Sequence, residues 1–98
     1  MLEKFRTELT DNLFEAILNL KNLDECYQFF DDIGTIKEVQ DLAQRLEVAK
    51  RLREKMPYNE IAKKTGASTA TISRVNKCLA YGSGGYDLIL DRLNGAKK

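Results

Sequence analysis

The sequence predicts an all-α fold of about six helices, and three observations predict it. Apolar residues recur at helical spacing along most of the chain, no segment shows the period-2 alternation of a strand, and capping residues mark several helix starts. With 98 residues the chain has room for one domain, residues 1–98. A lone domain of this size buries a modest share of its surface, so self-association is expected.

In the first helix Phe5, Leu9, Leu13, Ala16, Ile17 and Leu20 fall on one stripe, which Phe14 and Leu18 widen. Asn22 suits the cap of a second helix, with Glu25 at the reciprocal position, Leu23, Cys26, Tyr27, Phe30 and Ile33 on its apolar side, and Gly34 at its stop. Five of the eight aromatic residues precede Gly34. Two short helices this apolar exceed what one packing face needs, so residues 1–34 are expected to form a homodimer interface rather than fold back on the later helices. Thr35 and Glu38 form a T-x-x-E capping box that opens a long third helix. Its apolar positions Val39, Leu42, Ala43, Leu46, Ala49, Leu52 and Met56 hold a heptad-like spacing, and Pro57 is expected to end it and start the next. After Leu79 the run Gly82, Ser83, Gly84, Gly85 reads as a flexible loop. A short last helix then carries Leu88, Ile89 and Leu93 and closes at Gly95.

Composition excludes several classes of function. No apolar run approaches membrane-spanning length, and the opening MLEKFRTELTDN lacks the apolar stretch of a secretory signal, so a cytoplasmic protein is expected. Cys26 and Cys78 have no metal-ligand spacing, histidine is absent, and neither thiol has an evident activating base. Two reduced thiols, no metal, no catalytic residues and no enzyme are therefore expected. The formal net charge of +1 conceals a segregation. Residues 1–34 carry eight acids against three bases, a net of −5, whereas residues 55–79 carry five bases against Glu60 alone, a net of +4. A phosphate backbone responds to such a local field, although a solvated basic face would look the same.

Residues 58–79, YNEIAKKTGASTATISRVNKCL, are the informative stretch. Two short helices joined by a tight turn need a small residue where they approach, a residue tolerant of positive φ in the turn, and apolar residues returning to the core. Ala62 beside Ile61, then Gly66, then Ala67, Ile72 and Val75 satisfy these demands in order, which predicts a helix-turn-helix. The second helix, with Ser68 as its cap, then leaves Thr69, Ala70, Ser73, Arg74 and Lys77 outward. Small and hydroxyl-bearing residues suit entry into a major groove, arginine can fork onto guanine or phosphate, and Lys63, Lys64 and Lys77 can address the backbone, with Asn59 a further DNA-binding candidate. An aromatic stacking platform for single strands is not visible.

From Thr35 to Leu79 the sequence resembles the trp repressor family. The length of the helix before the motif, Met56, and the core Gly66, Ala67, Ala70, Thr71, Ile72, Arg74 fall in register. It is most similar to the shorter, trp repressor-related branch, YerC/YecD-like. The resemblance implies an intertwined homodimer that displays two helix-turn-helix heads to successive major grooves of double-stranded DNA. It further implies a candidate effector pocket at Thr35, Arg45, Thr71 and Arg74 for a small-molecule corepressor. Val75 and Cys78 stand where tryptophan-responsive members have glycine and serine, and the added volume argues against tryptophan. Arg74 then has two open roles, shaping a pocket or touching DNA. The expected function is sequence-specific DNA binding as a transcriptional regulator, a repressor. A protein-interaction module that docks a partner on the same helices is the alternative.

Overall fold

The computed structural model describes residues 5–96, which leaves Glu3, one of the acids counted in the first segment, outside it. Six helices and no strand form among these residues: α1 Glu8–Leu18, α2 Leu23–Ile33, α3 Ile36–Arg53, α4 Tyr58–Thr65, α5 Thr69–Tyr81 and α6 Gly85–Ala96. None is long and apolar enough to cross a membrane. The chain divides between Val39 and Gln40 into two compact units.

In the first unit, α1 starts at Glu8 rather than at Phe5, because Thr7 takes the cap. Its Oγ1 accepts from the Thr10 backbone N–H at 3.0 Å, which satisfies one of the donors that a helix start leaves open. Leu20, expected on the same stripe, lies past the helix end. Asn22 caps α2 as its position predicts, Oδ1 accepting from the Glu25 N–H at 2.9 Å, whereas the Glu25 carboxylate accepts from Lys21 instead of Asn22. At α3 the reciprocal box closes fully: Thr35 Oγ1 accepts from the Glu38 N–H at 3.1 Å and Glu38 Oε1 from the Thr35 N–H at 2.8 Å. The backbone and hydroxyl of Thr35 stabilise the Glu38 anion and hold its pKa below the ordinary carboxylate value. Neither α1 nor α2 contains a buried residue.

The second unit holds the core. Val48, Ala49, Ile61, Ala67, Ile72, Val75 and Leu90 are buried, with Leu46, Leu52, Met56, Ala62, Leu79 and Tyr86 packed on them. Two expectations change here. The heptad-like reading of α3 passes over Val48, which is completely buried, and includes Leu42, which is half exposed, because α3 presents the adjacent pair Val48 and Ala49 to α4 and α5. In α6 the buried residue is Leu90, while Leu88, Ile89 and Leu93 stay partly exposed and Gly95 lies inside the helix. Arg53 ties α6 to α3 through Asp91, 2.6 Å from Nη2, and Asp87, 3.5 Å from Nη1. Such exposed pairs contribute little stability and chiefly fix orientation.

Proline does not end α3. The helix stops at Arg53, four residues earlier, where the Lys55 N–H bonds the Leu52 carbonyl at 3.0 Å and the Met56 N–H reaches back to Arg51 at 3.2 Å. This is a Schellman closure, and it places Lys55 at φ 66°, the left-handed position usually filled by glycine. Met56 is thereby turned back onto the core, and Pro57, at φ −64° and ψ 151°, becomes the cap of α4 rather than its first helical residue.

Two outcomes are expected. Lys55→Gly relieves the left-handed strain and stabilises the chain by about 0.5–1 kcal/mol, read as a raised urea midpoint. Glu38→Ala destabilises at neutral pH, and the difference from the unaltered chain shrinks as pH falls. The sign follows from the lowered pKa: the contribution is present above the unfolded value and is lost as pH falls through the folded one. Paired urea titrations at pH 7 and near pH 3 check it.

Candidate nucleic-acid interface

The site is built outward from the turn between α4 and α5. Ile61 and Ala62 sit side by side on α4, but it is Ile61 that is completely buried, with half-buried Ala62 packed at the edge of the core. Gly66 then reverses the chain at φ 75°, ψ 4°, its N–H closing α4 on the Ala62 carbonyl at 2.9 Å. A Cβ at Gly66 would meet only Gln44 Nε2, at 3.8 Å, so backbone conformation and not crowding requires glycine there. Ala67 is buried directly after the turn, and Ser68 Oγ caps α5 by accepting from the Thr71 N–H at 3.1 Å. Ile72 and Val75, three apart, return to the core, and α5 runs to Tyr81, two residues past the predicted end. It stops at Gly82, where a Cβ would collide with the Cys78 carbonyl.

Burial of Ile72 and Val75 decides what α5 shows to solvent. Thr69, Ala70, Ser73, Arg74 and Lys77 are all exposed, as are Ser68 at the cap, Asn59 in the first turn of α4, and Lys63 and Lys64 in its last. A run of hydroxyls and small side chains thus leads into basic ones along a single exposed side. The N-terminus of α5 differs from the other helix starts. The first turns of α1, α2, α3, α4 and α6 each carry an acid, and that of α5 carries none. Its positive dipole end is left without a carboxylate, the condition under which a phosphate is attracted.

The four residues of the candidate effector pocket divide between the units. Thr35, in the first, has its hydroxyl engaged in the α3 capping box. Arg45 and Thr71 are half-buried and Arg74 exposed in the second, where the Thr71 hydroxyl lies 3.1 Å from that of Ser68. A half-open cleft between α3 and α6 is lined by Lys50, Arg53, Glu54, Leu90, Leu93 and Asn94, none of which the sequence singled out for binding. Cys26 and Cys78 are free thiols, and no group of residues suited to a metal ion occurs among the described residues.

Sequence reasoning missed the polar groups that brace the turn. Gln44 Nε2 on α3 donates to the Thr65 carbonyl, the last of α4, at 3.1 Å. The Thr65 hydroxyl donates to the Ile61 carbonyl at 2.8 Å and accepts from the Ala67 N–H at 3.2 Å. A threonine just before the hinge glycine was a legible signal for the second part. Gln44, 21 residues from its partner, carries no local signal.

An all-α unit in which a left-handed glycine joins two short helices, the second exposing a hydroxyl-rich, basic side, defines a helix-turn-helix protein. The family model of the Trp repressor protein matches residues 8–94, nearly the whole chain. The chain belongs to the Trp repressor family, a family of regulatory DNA-binding proteins and not of enzymes. It is 58% identical over 92 residues to the uncharacterised protein YerC of Bacillus subtilis, covering 94% of this chain and 88% of that one. Among solved structures it superposes on a TrpR-like protein of Eubacterium eligens with a TM-score of 0.91, at 58% identity over 94% of this chain and 95% of that chain. A candidate Trp repressor of Staphylococcus aureus matches with a TM-score of 0.92, at 52% identity over 96% of this chain and 94% of that chain.

Gly66→Ala is expected to destabilise the chain by about 1 kcal/mol with no change in the slope of its urea transition, because strain at positive φ acts without a steric clash. Chemical denaturation followed by circular dichroism checks it.

Proposed function

We propose that this chain is a sequence-specific transcriptional regulator that binds duplex DNA as a homodimer through α4 and α5, and that it represses by occluding a promoter. The observation that carries the reading is the division of α5 into a buried side, Ile72 and Val75, and an exposed side, Thr69, Ser73, Arg74 and Lys77. With the tip in the major groove, Thr69, Ala70 and Ser73 face base edges and thymine methyls, while Lys77, Lys63, Lys64 and Asn59 reach phosphates. Arg74, exposed on the same helix, is assigned to DNA. No chemistry is required of the protein in this role, which is that of a cytoplasmic regulator.

The dimer rests on the first unit. Leu9 and Leu18 of α1 and Leu23 and Tyr27 of α2 are 75–82% exposed, an apolar surface that a partner copy would cover. Two heads related by a twofold axis would then read half-sites about one helical turn, roughly 34 Å, apart. Tryptophan is left out of the reading. Val75, where the resemblance places glycine, is almost wholly buried among the core residues, so a ligand there would have to displace packed atoms.

Fluorescence anisotropy on duplexes selected from a random pool tests the proposal. Affinity is expected to fall steeply with salt, and Lys77→Ala to weaken all duplexes alike while reducing the salt slope by about one per subunit. Thr69→Ala is expected to alter the preference between duplexes more than the overall affinity. Affinity independent of salt, with equal small effects of both substitutions, would overturn the reading in favour of a protein-docking module.

A further inference from the structure

We infer that Gln44 is a positioning residue for DNA recognition, one that never touches DNA and acts by fixing the turn from which α5 is aimed. The inference rests on the reading of α5 as the groove-entering helix. The last carbonyl of α4 is a group that helix geometry leaves without an intrahelical partner. Here it receives the Gln44 side-chain N–H at 3.1 Å in a half-buried setting, across 21 residues of sequence. The same residue, Thr65, uses its hydroxyl to accept from Ala67 and to donate to Ile61. Gln44, Thr65, Ala67 and Ile61 thus form one hydrogen-bonded chain running from α3 through the end of α4 into the turn.

Two neighbours show why this chain sets direction. Gly66, between Thr65 and Ala67, lies in the left-handed region and has no side chain of its own to hold it. Ala67 is buried and is followed at once by Ser68, the cap from which α5 departs. A swing of the Thr65–Gly66 peptide is therefore transmitted to the α5 axis within two residues, and Gln44 is the group on α3 that restrains that peptide through a side-chain hydrogen bond. A tilt of the helix displaces the tip residues Thr69 and Ser73 from base edges, while the diffuse attraction between the lysines and phosphates persists. Removing the brace should consequently reduce discrimination between sequences more than it reduces affinity for duplex in general.

The test uses Gln44→Met, nearly the same shape with no donor and no change of charge, and Gln44→Lys, which restores a donor. Amide hydrogen exchange is measured on the free protein, and anisotropy on a selected and a scrambled duplex. In Gln44→Met the Ala67 amide is expected to exchange about ten times faster. The ratio of selected to scrambled affinity should fall about fivefold, a value typical of one net hydrogen bond, with the salt slope unchanged. In Gln44→Lys both the exchange rate and the affinity ratio should return toward those of the unaltered chain. Unchanged exchange overturns the inference, and so does faster exchange with an unchanged ratio. A parallel loss on both duplexes with a lowered melting temperature and no recovery in Gln44→Lys also overturns it, since that marks a merely structural role. Failure of the unaltered chain to prefer any duplex overturns the DNA reading itself, and is told apart because the exchange measurement needs no DNA.

Discussion

The second unit depends on one packing constraint: Ile61 from α4 and Ile72 and Val75 from α5 must meet against Val48 and Ala49 of α3 within a turn of three residues. Four of the five are large enough that none can be shed to solvent without opening the core, and all five are essentially completely buried. That requirement fixes which side of α5 is inward, and the outward side follows with no further choice. The left-handed glycine, the buried alanine after it and the serine cap are the local means by which the chain satisfies the constraint. The solvent-facing side of this helix is the complement of its packing.

How much of this was legible in the sequence follows from the range of each interaction. The Asn22 cap, the capping box at Thr35 and the glycine turn were readable because donor, acceptor and backbone preference lie within four residues of each other. The placement of Ile61, Ala67, Ile72 and Val75 was readable for the same reason, since helical period alone decides which residues share a side. The outward residues of the candidate site emerged as the remainder of that pattern. The end of α3 was misread because a lysine occupies a position where glycine is the usual sign, and the proline two residues on is the louder signal. Val48 and Leu90 were passed over because the contact surface on α3 and α6 depends on which helices lie beside them, and sequence spacing does not state this. Gln44 was invisible for the strongest form of that reason, its partner being on another helix.

The two units also divide the labour of the amino-acid composition. The second is built round a core with no buried polar or charged side chain among the described residues, and its ion pairs of Arg53 with Asp87 and Asp91 and of Arg51 with Glu47 and Glu54 join partly exposed side chains. The first buries none of its described large apolar side chains fully, leaving Leu9, Phe14, Leu18, Leu23 and Tyr27 exposed, and caps its helix starts with Thr7 and Asn22. Its local structure is thus secured by short-range hydrogen bonds, with no fully buried residue among those described.

The Thr65 hydroxyl has a consequence for motion. Terminal turns of short helices ordinarily fray, opening and closing independently of the body of the protein. In α4 the last residue is bonded both backward to Ile61 and forward to Ala67, and both of these are core residues. Unwinding that final turn would withdraw support from either side of the hinge at once, so fraying here is joined to loss of the interior. An eight-residue helix, the shortest of the six, is in this way given the rigidity of a much longer one at the end where its direction matters.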